Sequence, residues 1–329
     1  MKLYKLLGGL VVAGLVLTTA HAKEPIVIKF SHIVAVDTPK GKAAEQFKKL
    51  AEKYTDGKVK VEIYPNSSLF KDADELEALQ NGKVQMLAPS ISKLSPFGVR
   101  DFEIFDLPYL FDNDEDLHNV TGGQIGKNLF NKLEFKGIQG LAFWDNGFKQ
   151  MSANKPLKTP ADFKGLKMRV QSSKTLELQM EVLGASPREV PFSKTYQALK
   201  TGEVDGTENS ISNFYTQKIY EVQKFMTLTN HGYLGYAVIV NKKFWDDLPN
   251  AIQTPLEKAM EEATQFANDI AKKENDEALE KVKASGKTEV IELTPEEKAA
   301  LKKVMVITHD KQDIIPKSFL RWWLCGQKC

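Results

Sequence analysis

The residues best placed to do chemistry in this chain are polar side chains that close short alternating segments, and Arg169 is the first of them. In Gly165-Leu-Lys-Met-Arg-Val-Gln-Ser-Ser173, Leu166, Met168 and Val170 alternate with Lys167, Arg169 and Gln171, the period-2 pattern of a strand. Ser172 and Ser173 then read as the N-cap of a helix carrying Leu176, Met180 and Leu183. Arg169 is expected near the carboxyl end of a strand, the edge that lines the ligand crevice in open α/β sheets. A guanidinium there is permanently charged and shaped to hold a carboxylate through two parallel hydrogen bonds. The plainer alternative is a structural ion pair. Four other segments end in the same manner, at His32, Ser90, Trp144 with Lys149, and Asn209. Each has an ordinary explanation by itself; Asn209, for instance, stands where it can cap a helix beginning near Ile211. Together they offer cationic donors, amide donors and aromatic walls, a composition suited to a small anionic organic molecule.

The elements that must position these residues are strands alternating with helices. Residues 26–30, 58–64, 84–88, 137–144 and 204–206 read as strands. Between the first two, Ala43, Phe47, Leu50 and Tyr54 form one apolar helical face. Such alternation predicts parallel βαβ units. Residues 100–111, rich in aromatic and acidic side chains and containing Pro108, read as an irregular connection. Further on, Thr254-Pro-Leu-Glu257 has the form of a capping box with proline at the first helical position. A stripe through Leu256, Ala259, Met260, Ala263, Phe266, Ala267 and Ile270 continues weakly to Val282 and stops at Gly286. That is about 30 residues, or roughly 45 Å, long enough to run beneath two lobes. The alternative is two shorter helices broken near Asn275. Thr294-Pro-Glu-Glu297 opens a last helix.

Composition bounds the rest. Lys2 and Lys5 precede a short apolar run over 6–17, and Ala20-His-Ala22 is a small-residue cleavage site, so a signal peptide cut after Ala22 is expected. Two of the 45 Lys and Arg fall in that leader, and the remaining 43 balance 43 Asp and Glu. No basic stripe interleaved with aromatics marks a nucleic-acid surface. No later stretch is apolar enough to span a bilayer. A mature chain of about 300 residues is expected to divide into two lobes. We place lobe I at 23–147 plus 235–275 and lobe II at 148–234 plus 276–329. The two cysteines, Cys325 and Cys329, lie in the last five residues, so no disulfide framework holds the body.

Catalytic and metal motifs fail on inspection. Asp112-Asn-Asp-Glu-Asp116 resembles the start of a calcium loop, but Leu117 stands where glycine is needed and Gly123 where glutamate is needed. Gly122-Gly-Gln-Ile-Gly-Lys127 is one residue short of a phosphate-binding loop. No nucleophile with a base at a recognisable spacing is present, so neither an enzyme nor a cofactor or metal is expected.

Several segments together carry a resemblance. Phe30-Ser-His32, Tyr64-Pro-Asn-Ser67, Gln85-Met-Leu-Ala-Pro-Ser90, Trp144-Asp-Asn-Gly147, Lys167-Met-Arg-Val-Gln-Ser172, Tyr196-Gln-Ala-Leu199, 202–209 and Asn241-Lys-Lys-Phe-Trp245 resemble the DctP-type solute receptors of TRAP transporters. The resemblance extends over the mature chain to about Asp310. It implies a periplasmic-binding-protein-like α/β fold of two lobes, a hinge and a long helix spanning both. It implies a receptor that closes around an organic acid and delivers it to a permease with a small and a large membrane subunit. The family's carboxylate-binding arginine falls on Arg169, its asparagine partner on Asn209 and its aromatic wall on Phe192. A second basic position falls on Lys149. Lys149 and the Ala-Pro-Ser90 segment look more like the C4-dicarboxylate branch, whose ligands include succinate, malate and fumarate.

The ligand-binding set expected is therefore Arg169, Asn209, Lys149, Phe192, His32, Ser90, Lys93, Trp144 and Tyr236. Arg169 and Asn209 hold one carboxylate. Lys149, with His32, Ser90 or Lys93, neutralises the other, and Phe192, Trp144 and Tyr236 exclude water. A receptor for another carboxylate, such as a sugar or keto acid, and an exported enzyme acting on organic acids are the competing readings. After about Asp310 the chain departs from the family pattern: Pro316 interrupts the last helix, and Trp322, Trp323 and the two cysteines are unusual in an exported tail. A shifted reading frame, or a natural truncation with a read-through tail, is the expected origin of that tail.

Overall fold

The computed structural model describes residues 24–111 and 113–313; the leader, Asp112 and the atypical tail with Cys325 and Cys329 lie outside them. In chain order the elements are β1 (Ile26–Ser31), α1 (Pro39–Tyr54), β2 (Val59–Tyr64), α2 (Glu75–Gln80), β3 (Met86–Leu87), α3 (Asp114–Thr121), α4 (Gln124–Glu134) and β4 (Ile138–Phe148). They continue with β5 (Gln150–Ala153), β6 (Lys167–Val170), α5 (Lys174–Val182), β7 (Ser186–Glu189), α6 (Thr195–Thr201), β8 (Gly206–Asn209) and α7 (Ile211–Thr216). The last are β9 (Phe225–Leu228), β10 (Tyr233–Asn241), α8 (Lys242–Asp246), α9 (Asn250–Ser285), β11 (Glu289–Glu292), α10 (Pro295–Met305) and α11 (Ile307–Lys311).

These strands form two sheets, one per lobe. The first has the order β2-β1-β3-β10-β4, and the second β11-β9-β5-β8-β6-β7. Parallel pairing holds for β1 with β2 and β3, for β6 with β7 and β8, and for β9 with β11. It does not hold for β10 or β5, which pair antiparallel with their neighbours. These two strands are entered at two of the lobe changes, at Lys149 and at 229–232; a third runs along the long helix into β11. β10 is buried along its whole length. Its continuous apolar run lacks the alternation that would mark it as a half-exposed strand.

Local chemistry places the site-bearing loops. Thr38 caps α1 by accepting from Gly41 N at 3.1 Å, and Pro39 occupies the first helical turn. A Cβ on Gly41 would come within 2.4 Å of Ala35 O. Glycine there lets the 33–38 loop fold flat against the helix start. Ser173 and Ser210 cap α5 and α7 directly after the β6 and β8 segments.

The long helix differs from expectation at its start. α9 begins at Asn250 behind Pro249, and Pro255 lies inside it, so the Thr254 capping box does not form. Ile252 is buried in the first lobe's core, and that packing extends the helix upstream. Pro255 forfeits one backbone bond near the helix end, a tolerable loss. The helix is unbroken at Asn275 and has 36 residues, about 54 Å. Leu256, Ala259, Met260, Ala263 and Ala267 pack in the first lobe, and Ala278 and Val282 in the second. Residues 100–106, read as irregular, form a 3-10 helix whose Phe102 and Phe105 enter the first lobe's aromatic core.

Candidate functional site

β6 delivers Arg169 to the inner face of the second lobe, where 1% of its surface is exposed. Its Nε donates to Val190 O at 2.9 Å. That bond fixes the plane of the guanidinium, while Nη1 is buried with no hydrogen-bond partner among the described residues. Burial lowers the pKa of this guanidinium, and Glu208, Asp72 and Glu189 act against the shift. Arginine remains charged through such a change. An unpaired buried donor of this kind is costly unless an anion completes it.

Arg169 opens onto a cavity between the lobes with about 270 Å³ of space between atoms, its mouth included. The second lobe adds Gln171, Phe192 and Asn213; the first contributes Ile33, Val34, Ser90, Lys93, Leu234 and Tyr236. The lobes touch across it. Ser90 Oγ donates to Gln171 Oε1 at 2.6 Å, and Phe192 N donates to Asp72 Oδ2 at 2.8 Å. Beside the cleft, Glu103 accepts from Thr175 N at 2.9 Å and Thr175 Oγ1 at 2.6 Å, meeting the N-terminus of α5 with a carboxylate.

The first lobe's wall is charged. Lys93 lies 3.3 Å from Asp72 and 3.4 Å from Glu75. Lys40 donates to Ala88 O at 2.8 Å and stacks 3.7 Å above the Tyr236 ring. Burial lowers the Lys40 pKa and raises that of Glu75. Tyr236 OH accepts from Asn213 Nδ2 at 3.3 Å, joining the two lobes again.

Of the expected residues, Arg169, Phe192, Ser90, Lys93 and Tyr236 therefore line one cavity, and the other four do not. Asn209 stands one layer behind, where its Oδ1 accepts from Asn213 Nδ2 at 3.1 Å and so orients the amide that faces the cavity. Lys149 is not a free cation. Its Nζ lies 3.0 Å from Glu208 Oε1 and 3.9 Å from Asp106, and His231 Nε2 is 3.2 Å from the other Glu208 oxygen. Burial pushes the Glu208 carboxyl up, but Lys149 and His231 outweigh it and bring the pKa to about 2. Strand pairing across Gln150 and Asn209 turns this cation and this carboxylate toward each other beneath the cavity. Trp144 belongs to the core: it packs 6.0 Å from Phe30, and its Nε1 donates to Thr264 Oγ1 on α9 at 2.9 Å. His32 is fully buried, and neither ring nitrogen has a partner among the described residues. Burial, then Lys40, lowers its pKa to about 3, so it is neutral.

Five cavity residues escaped the sequence reading, the apolar Ile33, Val34 and Leu234 and the polar Gln171 and Asn213. Gln171 was legible, since the alternation that places Arg169 runs on through it, one residue past the end of β6. Asn213 lies four residues beyond Asn209, inside α7, and nothing in its spacing marks it.

The geometry describes a closed two-lobed cleft with a preset guanidinium, and known proteins share the fold. Residues 30–313 match the DctP family model, described as bacterial extracellular solute-binding protein, family 7. The chain is 62% identical to a C4-dicarboxylate-binding periplasmic protein of Rhodobacter capsulatus over 310 residues, 93% of each chain. It is similar to a TRAP periplasmic solute-binding protein from Shewanella oneidensis with bound succinate, at TM-score 0.88 and 39% identity, covering 92% of this chain and 99% of that one. A second, from Pseudomonas aeruginosa with bound L-malate, gives TM-score 0.86 and 45% identity, covering 88% and 100%. The chain belongs to the DctP family of bacterial extracellular solute-binding proteins.

Proposed function

We propose that this protein is exported with cleavage after Ala22 and captures a C4-dicarboxylate, succinate, malate or fumarate, for a TRAP-type permease with a small and a large membrane subunit. One observation carries the reading: the buried Arg169 Nη1, unpartnered and held rigid by Val190 O, at a cavity walled by both lobes. A carboxylate completes that donor with a charge-assisted pair. Asn213, held by Asn209, supplies an amide. Lys93 faces the second carboxylate from the other lobe. Phe192, Tyr236, Ile33, Val34 and Leu234 exclude water, which strengthens each charged contact. A ligand touching both walls favours the closed state, because only closure assembles both sets of contacts. The reaction is binding and release without turnover. Among the described residues no helix is long and apolar enough to cross a membrane.

The test is a thermal-shift and calorimetric screen of refolded, ligand-stripped protein. A true ligand at a thousandfold excess over Kd stabilises by about 4 kcal/mol. A large shift with C4 acids supports the proposal. A shift only with sugar or keto acids moves the substrate class, and turnover of any acid seen by NMR replaces the receptor with an enzyme.

A further inference from the structure

Arg169 stands between two hollows of opposite character. The cavity described above has no carboxylate among its lining residues. The second shares Lys93, Arg169 and Gln171 with it, but is completed by Asp72, Glu189 and Ser172. Asp72 is fixed there. Its Oδ2 accepts from Phe192 N across the cleft at 2.8 Å and lies 3.3 Å from Lys93 Nζ; its side chain is 7% exposed. Its Oδ1 is buried and has no hydrogen-bond partner among the described residues. Burial pushes the Asp72 carboxyl up, but Lys93 and the Phe192 N–H outweigh it, so the group is ionised at neutral pH. Glu189 sits on the exposed rim, bonded to Ser172.

A ligand carboxylate on Arg169 has its chain free to extend toward either hollow. Extension into the second brings it against a desolvated, immobile anion whose one unpartnered oxygen can only accept. A third carboxylate there meets repulsion in a low dielectric, while a neutral donor such as a hydroxyl or amide finds an acceptor. Resting on the dicarboxylate reading, we infer that Asp72 is a specificity-determining residue: it makes the hollow beyond Arg169 a subsite for uncharged hydrogen-bond donors and rejects acids carrying a third carboxylate.

The experiment compares succinate with two derivatives of equal size, one bearing a carboxymethyl arm (tricarballylate) and one a carbamoylmethyl arm. Affinities are measured by calorimetry on the full mature chain. Wild type is expected to favour the amide arm over the carboxylate arm by at least about tenfold. Asp72→Asn keeps an oxygen for Phe192 N but removes the charge, and is expected to bring the ratio within about threefold. Glu189→Gln, at an exposed position that spares the fold, is expected to lower the ratio less, by about twofold to threefold. Equal affinity for both arms in wild type overturns the inference, as does a ratio that neither variant moves, or no binding of either arm. Failure of wild type to bind succinate would instead remove the dicarboxylate reading on which this rests.

Discussion

At the scale of single residues, the site depends on which charged groups reach the cavity. Arg169 Nη1 is unpartnered at its edge, whereas the buried Lys149 ammonium lies 3.0 Å from Glu208 and 3.9 Å from Asp106 and does not line it. Arg169→Lys keeps a charge but loses the planar fork, and affinity for a C4 acid is expected to fall by about 2–4 kcal/mol with the fold retained. Calorimetry beside an unchanged melting curve checks this. His32 gives a pH prediction. Its folded pKa of about 3 lies below the ordinary 6.5. Between those values the unfolded chain binds a proton that the folded chain does not, so stability is lost as pH falls below 6.5. Replacing His32 by Gln removes that dependence. The stability gap between wild type and variant, from urea titrations at pH 7 and pH 5, should narrow by about 2 kcal/mol on acidification. A gap that stays constant shows His32 to be charged or accessible in the native state.

At the scale of elements, α9 is the member common to both lobes, and Asn275 ties it to each. Its Nδ2 donates to Asn146 O at 2.6 Å in β4, and its Oδ1 accepts from Ser212 N at 2.9 Å in α7. Gly147 passes directly over this amide: its φ is +116°, and a Cβ would meet Asn275 Nδ2 at 3.0 Å. Asn275→Ala leaves the Ser212 N–H and the Asn146 carbonyl without their side-chain partner and is expected to cost about 1–3 kcal/mol in chemical denaturation. Gly147→Ala places a side chain in a left-handed conformation as well as against Asn275, and its melting temperature is expected to fall. Both effects come from the passage of the helix between lobes rather than from the ligand cavity. Affinity should therefore change less than stability.

At the scale of the whole molecule, function is a difference between open and closed arrangements of two lobes. The Ser90–Gln171, Asp72–Phe192 and Asn213–Tyr236 bonds all cross the cleft. Ser90→Ala removes one of them and is expected to weaken ligand binding by about 0.5–1.5 kcal/mol. Small-angle scattering should show a smaller radius of gyration on adding ligand to wild type, and a less complete contraction in the variant. Identical radii with and without a ligand that binds tightly would mean that closure precedes binding.

The sequence by itself determined the α/β class, the position of Arg169 on a strand, the long helix and the family. Each rests on local periodicity or on motifs contiguous in the chain. It also named Ser90, Lys93, Phe192 and Tyr236, which the fold brings to one cavity. It left β10 unread, because a strand buried on both faces has no alternation to read, and it started α9 at the wrong residue, because Ile252 joins the helix through packing alone. Only the tertiary structure decided which cations reach the cavity: Arg169 and Lys93 line it and Lys149 does not. Lys149 and Glu208 are 59 residues apart, so nothing in the spacing of Lys149 shows the carboxylate that neutralises it. Trp144 and His32 likewise sit at strand ends by sequence, yet fold inward to the core. A side chain's type is a local property of the chain, while its availability to a ligand depends on which distant residue reaches it first.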